Sequence, residues 1–276
     1  MSVIIVPRRW TRQPTGPVEI DWTHPLTRGL QEALHDTYQF DAARRIPLVS
    51  LGVQTAQLTT AKFGFARQHG TQRRIQTVAT NKLSDAPLPR TVFLQHQLAT
   101  NAADARLMWR GQTSGGSTGF SESLGTISAS GRYTYDRRVG GVSVGTSSWA
   151  ATLNIDSRLV VTNDGVTAAN TELYENGVLQ TRLGTGTAGT AAASLAQVIS
   201  LGGSGSGAAV ANAKISLCLI WTRILTLAEI KEISRNPWQI FKPISNKIYI
   251  DAAAAGGGFL AAWARNRSQV IGAGAH

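Results

Sequence analysis

"WTRILTLAEIKEISRNPWQIF", residues 221–241, is the stretch on which the reading of the fold turns. Thr226 and Glu229 have the spacing of a capping box: the threonine accepts from a first-turn N–H and the glutamate reaches back to the cap. Leu227, Ile230 and Ile233 fall on one helical face, and Asn236-Pro237 stops the helix because proline disfavours helical geometry in the residue before it. A helix of about ten residues is marginal by itself. Its apolar stripe must therefore lie against something, and the preceding "AKISLCLIW" (213–221) says what. There Ile215, Leu217, Leu219 and Trp221 share one face by period two, with Ser216 and Cys218 on the other, the pattern of a strand. The helix's apolar stripe is expected to lie on a sheet built from such strands.

The residues upstream agree. "TVFLQHQL" (91–98), "ARLMWR" (105–110), "GRYTYD" (131–136), "SRLVVTN" (157–163), "ELYENGVLQ" (172–180) and "QVISLGG" (197–203) are short and β-branched or aromatic, with Gly, Ser, Asn or Asp clusters between them. This spacing predicts an all-β sandwich or barrel. Asn176-Gly177 predicts a two-residue type I′ hairpin, whose central residues both need positive φ. The Gly- and Ala-rich region 184–211 reads as loop, strand, loop. Before the strands, residues 1–20 read as an extended arm, because Pro7, Pro14 and Pro17 block helix and central strand. "DWTHPLTRGLQEAL" (21–34) predicts a turn and a brief helix with Thr27 as N-cap. Residues 242–276 offer too little apolar surface for a core of their own and read as a tail that needs a partner. The predicted organisation is an arm (1–20), a sandwich (21–241) and a tail (242–276).

The chain has 276 residues, of which 42% are hydrophobic, enough for a sizeable core. No apolar run reaches the roughly 18 to 20 residues of a membrane helix, and the opening "MSVIIVPRRW" is too short and wrongly flanked for a secretory signal. No membrane partner is expected, and synthesis and folding in a cytoplasm are. The single cysteine, Cys218, excludes an internal disulfide and multi-cysteine metal sites; it is expected to pack as a small hydrophobe. The net charge of +11 is mostly arginine, doubled at Arg8-Arg9, Arg44-Arg45, Arg73-Arg74 and Arg137-Arg138. Such a surface attracts polyanions. The basic residues are scattered and no RNA-recognition or zinc-finger pattern accompanies them, so nucleic acid is not the expected partner.

The last strand ending in Trp-x-Arg, then "LTLAEI", a short helix and "NPW" with an aromatic after it, resembles the C-terminal signature of laminin-G-like, concanavalin-A-like jelly-roll domains of bacteriophage virion proteins. "RLVVTNDGV" and "ELYENGVLQ" are similar to the strand, turn and hairpin before that signature, and "QPTGPVEIDWTHPLTRGL" to its N-terminal lead. The resemblance covers most of residues 13–241. It implies an antiparallel concanavalin-A-like sandwich, a jelly roll, whose one short C-terminal helix closes an edge, with Trp238 and Phe241 plugging the chain back against it; the extended terminal arms read above flank it. For function it implies little, since such sandwiches serve as lectins, glycanases and structural parts.

"EIDWTH" (19–24) resembles the E-I-D-x-x-E strand of glycanases of this fold, with Glu19 and Asp21 matching. His24 stands where the second catalytic carboxyl would be, and retaining hydrolysis needs two carboxyls about 5 Å apart. No catalytic residue is assigned, and no enzyme is expected. His24, His35, His69, His96 and His276 are isolated from one another, without metal spacing. "GGSGSG" (202–207) leads into a strand and so is neither a phosphate loop nor a nucleophile elbow. "TNDG" (162–165) and Asp156 are the only oxygen-rich candidates for calcium; an Asx turn explains the motif equally well, and neither a metal nor a cofactor is assigned. Among aromatics that could stack on a sugar, Trp109, Trp149, Tyr133 and Tyr135 lie in the strand-rich region. Trp149, between "GTSS" and "AAT", is the candidate for an exposed loop, with Tyr133 and Tyr135 beside it as glycan contacts.

The expected function is that of a structural bacteriophage virion protein, a capsid decoration or a head or tail accessory made in the host bacterial cytoplasm. It would be held by its ends to other virion subunits and to copies of itself. Ile4, Ile5, Val6 and Trp10, and Phe259, Trp263, Val270 and Ile271, are the expected partner anchors. The alternative is a module that binds host surface polysaccharide, and a glycan-degrading enzyme is the third reading.

Overall fold

The computed structural model describes residues 12–14, 18–35, 40–43, 45–51, 57–61, 64–69, 74–77, 89–99, 105–112, 121–127, 132–139, 142–151, 153–165, 168–185, 197–203 and 212–243. The eight anchor residues assigned to the two ends lie outside them.

Two antiparallel sheets pack face to face. The front sheet runs, in spatial order, β17 (Arg182–Thr185), β13 (Val142–Ala150), β12 (Arg132–Val139), β11 (Ser121–Ile127), β10 (Ala105–Gln112), β18 (Gln197–Leu201), β8 (Arg74–Gln76) and β5 (Val49–Leu51). The back sheet runs β16 (Val178–Leu179), β15 (Glu172–Glu175), β14 (Asp156–Asn163), β9 (Arg90–Leu98), β19 (Ala213–Trp221), β2 (Leu30–His35), β3 (Phe40–Asp41) and β4 (Ile46–Pro47). The hairpin of β6 (Gln57–Ala61) and β7 (Gly64–Gln68) joins it at β19. A third layer covers the far side of the back sheet: α1 (Leu227–Arg235) and a ribbon of β1 (Val18–Ile20) paired with β20 (Phe241–Pro243). The protein is an antiparallel jelly-roll sandwich with one short helix.

Both faces of the back sheet are therefore apolar. Val92, Leu94, Leu159, Val161, Cys218 and Ile220 meet Met108, Leu124, Tyr133, Tyr135 and Trp149 between the sheets. Phe93, Val160, Leu217, Leu219 and Trp221 point the other way, into a second core with Ile230, Ile233, Trp238 and Phe241. This is why "AKISLCLIW" is almost continuously apolar, as a strand covered on both sides should be. A bulge at Ser216 shifts the register against β9, so Ile215 joins Cys218 and Ile220 in the inter-sheet core rather than sharing a face with Leu217. Cys218 is fully buried there.

The helix lies on the outer face of the back sheet, with β14 beneath it, and does not close an edge. Its capping box is complete: Glu229 N–H donates to Thr226 Oγ1 (3.3 Å) and Thr226 N–H to Glu229 Oε2 (2.8 Å). Leu227 is exposed; Leu225 takes its place, buried with Ile230 in the arrangement of a hydrophobic staple. At the other end Arg158 Nη1 reaches from β14 to the carbonyls of Ser234 (2.6 Å) and Arg235 (2.8 Å), satisfying acceptors the helix leaves open. Asn236 caps the turn Pro237–Ile240, accepting from Trp238 N–H. Thr226→Ala should cost about 1 kcal/mol in urea unfolding. A loss within experimental error would mean that Glu229, held by Arg223 at 2.6 Å, caps the helix unaided.

The Asn176-Gly177 hairpin forms as predicted, with φ of 52° and 81°. The N-terminal region departs from expectation. Val18–Ile20 is a strand of the fold, so the sandwich begins before residue 21 and runs to Pro243. The predicted brief helix is a single 3-10 turn, Pro25–Thr27, capped by His24 rather than Thr27, and "LQEALH" is the strand β2. Pairing with β19 outweighs the helical preference of Leu, Gln, Glu and Ala.

Candidate binding surface

The three aromatics assigned to glycan contact are core residues. Trp149 is 1% exposed, near the end of β13, a strand next to the edge of the front sheet, rather than in a loop. Tyr133 and Tyr135 turn into the inter-sheet core, and each hydroxyl is spent there: Tyr133 with His96 Nε2 (3.1 Å), Tyr135 donating to Glu122. A buried tyrosine must satisfy its hydroxyl, and these two do so away from solvent. Trp109 points to the opposite face of the front sheet, across from Ser123 and Ser200, but is only 4% exposed.

Glu122 closes a buried cluster. It accepts from Arg90 (2.6 Å) and Arg110 (3.2 Å) as well as from Tyr135, tying β9 of the back sheet to β10, β11 and β12 of the front. The guanidiniums and the carboxylate are almost wholly out of water. This is a tie between sheets.

The described histidines are likewise internal. His35 packs against Trp238 (5.3 Å between ring centres) and Phe241 (6.1 Å), and burial pushes its pKa down to about 3. His96, between the sheets, is pushed down to about 4, again mainly by burial. His24 Nδ1 accepts from Leu26 N–H. "TNDG" is an Asx turn in which Gly165 N–H donates to Asn163 Oδ1 (2.8 Å), while Asp164 binds the Asn170 amide. Among the described residues no three His, Cys, Asp or Glu side chains converge as a metal site requires.

What remains is the stretch first read as an incomplete glycanase motif. Glu19 and Asp21 do not form a carboxylate pair in a cleft. Glu19 lies on the outward side of the ribbon, 3.2 Å from Arg45 and 3.4 Å from Lys242. Asp21 accepts from both Thr23 N–H (3.2 Å) and Thr23 Oγ1 (2.6 Å), which, with burial opposing, holds its carboxyl below the usual range. The turn is braced further: Asp21 N–H donates to Ile240 O (2.8 Å), His24 N–H to Asp21 O (2.9 Å) and Thr27 Oγ1 to His24 O (2.7 Å).

On this braced turn Trp22 is 53% exposed. Among the described aromatic side chains it alone stands mostly in solvent. A rigid turn carrying a bare indole beside hydrogen-bonding groups is a preformed stacking surface: one face of a sugar is apolar and its rim is polar, which is what the turn offers in reverse. Trp22 was in view within "EIDWTH" and passed over for the acids around it. The available signal was an aromatic set among turn formers, Asp, Thr and His-Pro, where no strand or helix period could bury it.

The fold has close parallels of distant sequence. Domain 4 of AbnA, an extracellular arabinanase of Geobacillus stearothermophilus solved with arabinotriose, superposes with a TM-score of 0.57 at 14% identity, over 74% of this chain and 98% of that one. The binding domain of botulinum neurotoxin serotype C1 gives 0.55 at 12% identity, over 76% of this chain. That of botulinum neurotoxin DC, in complex with rat synaptotagmin II, gives 0.53 at 12%. The chain spans about half the length of the toxin domains, 52% in each case. No protein-family model and no curated protein matches the sequence. The likeness is one of fold, and the structures sharing it are described as binding domains or were solved with a saccharide bound.

Proposed function

We propose that the sandwich is a non-catalytic carbohydrate-binding module that meets its ligand at the Trp22 turn. The observation that carries this reading is the 53% exposure of Trp22 on a turn already ordered by hydrogen bonds, so binding loses little conformational entropy. The fold's likeness to an arabinanase domain solved with arabinotriose supports it. Trp22→Ala should lower affinity for extracted bacterial surface polysaccharide about tenfold, the loss of one stacked aromatic, without moving the melting temperature. Trp149→Ala, by contrast, should act by opening the core. Polysaccharide retained equally by wild type and Trp22→Ala in affinity electrophoresis would sink the proposal.

A second reading, a bacteriophage virion part mounted through its ends, is favoured by one feature. Val18 pairs with Pro243, so the described strands β1 and β20, to which the chain ends carrying Ile4, Ile5, Val6 and Trp10 and Phe259, Trp263, Val270 and Ile271 connect, are neighbours. On this reading, deletion of residues 244–276 leaves the sandwich folded and abolishes incorporation into particles; normal incorporation would refute it.

A further inference from the structure

Arg45, in the turn between β3 and β4, has φ of 58°. Among the described residues the other non-glycine positions with positive φ are Asn154 and Asn176, and asparagine tolerates that conformation; arginine does so only against steric strain. A glycine would make the same turn without strain. The arginine's one described contact is the ion pair with Glu19, and its side chain is 69% exposed. An exposed pair of this kind contributes little to stability. Among the described residues only the weak Glu19 pair offsets that strain, and most of the side chain is presented to solvent.

The Arg45 guanidinium meets Glu19, which also pairs with Lys242 and precedes Trp22 by three residues, at most about 10 Å between the two Cα atoms. The two acids of this stretch are already occupied. Asp21 is taken by Thr23, and each Glu19 oxygen has its own cation. The two cations are not: Arg45 uses one guanidinium nitrogen and Lys242 one of its ammonium donors among the described residues. The surface around Glu19 thus holds spare donors, which suit a negatively charged ligand rich in acceptors.

We infer that the Trp22 turn takes an acidic saccharide, a sugar unit bearing a carboxylate, with its ring on the indole and its carboxylate on the fork of Arg45 beside Lys242. The inference rests on the reading of this turn as a glycan site. Planar, two-point recognition of a carboxylate is what guanidinium does and ammonium does not. The +11 net charge of the chain concentrates such a polyanion near the surface before it docks.

The test is isothermal titration of the full chain with an oligouronate, its carboxyl-reduced neutral counterpart and a sulfated oligosaccharide, for wild type, Trp22→Ala, Arg45→Gly and Arg45→Asn. The expected result is a preference of wild type for the oligouronate over both other probes. Arg45→Gly and Arg45→Asn should bind the oligouronate about tenfold more weakly, melt no lower than wild type and bind the neutral probe unchanged. Oligouronate affinity unchanged in both Arg45 variants overturns the inference, as does equal affinity of wild type for the acidic and neutral probes. If Trp22→Ala loses both of those probes while the Arg45 variants lose neither, the glycan site stands and its acidic specificity falls. If wild type binds none of the three, the inference falls together with the reading beneath it.

Discussion

Acidification from pH 7 to 4 should strongly destabilise this sandwich through two buried histidines. His35 and His96 are buried neutral, with pKa values of about 3 and about 4, whereas an unfolded histidine titrates near 6.5. The unfolded chain therefore binds more protons than the folded one between those values. Stability is fully present above pH 6.5 and falls as pH drops toward the folded pKa, by about 1.4 kcal/mol per pH unit for each histidine. From pH 6.5 to 4 the two together amount to roughly 7 kcal/mol, comparable to the whole stability of an ordinary domain. Glu229, held at about 2 chiefly by Arg223, adds a loss only below pH 4.5, so the two phases are separable. Urea unfolding at half-unit pH steps should show the slope between 6.5 and 4.5, and His35→Phe, which keeps a ring against Trp238, should halve it. An unchanged slope in that variant would place the proton uptake elsewhere.

Glu122→Ala should be among the most damaging single substitutions in the described residues. It removes the carboxylate that Arg90 and Arg110 share and that accepts from the Tyr135 hydroxyl. Removing one member of a buried ion cluster costs about 3 to 5 kcal/mol, because the remaining charges stay desolvated. Replacing Arg90, Glu122 and Arg110 together by apolar residues of similar volume should cost less than Glu122→Ala alone, since a fully paired buried charge cluster contributes little beyond what apolar packing supplies. The measurement is the urea midpoint at constant slope. If the triple replacement is as damaging as the single one, the cluster contributes through its hydrogen bonds rather than by avoiding unpaired charge.

The sandwich was legible because its best strands alternate or run apolar and its hairpin carries Asn-Gly. Not all front-sheet strands were: β11 and β13, "SESLGTI" and "VSVGTSSWA", are Gly-, Ser- and Thr-rich and show neither a clear period nor strong β propensity, although they pair with the strands next to them in sequence. Missing β13 is what sent Trp149 to a loop. β2 was hidden by helix-forming residues that a strand partner overruled. For the site, the residues of "EIDWTH" were seen but weighed for acid chemistry, and the partners that turn the acids into a scaffold, Arg45 and Lys242, are far away in sequence. Ion pairs between such positions exist only in the fold.

The ribbon of β1 and β20 has a mechanical meaning. Val18 and Pro243 form its open end, and the pairing runs inward to Ile20 and Phe241. A load applied between the two flanks pulls these strands apart from that end, breaking hydrogen bonds in succession rather than all at once. The ribbon should peel at low force and lengthen the tether while the two large sheets stay shut behind it. A particle or surface tugging on this domain would meet a compliant leader before it met the rigid body.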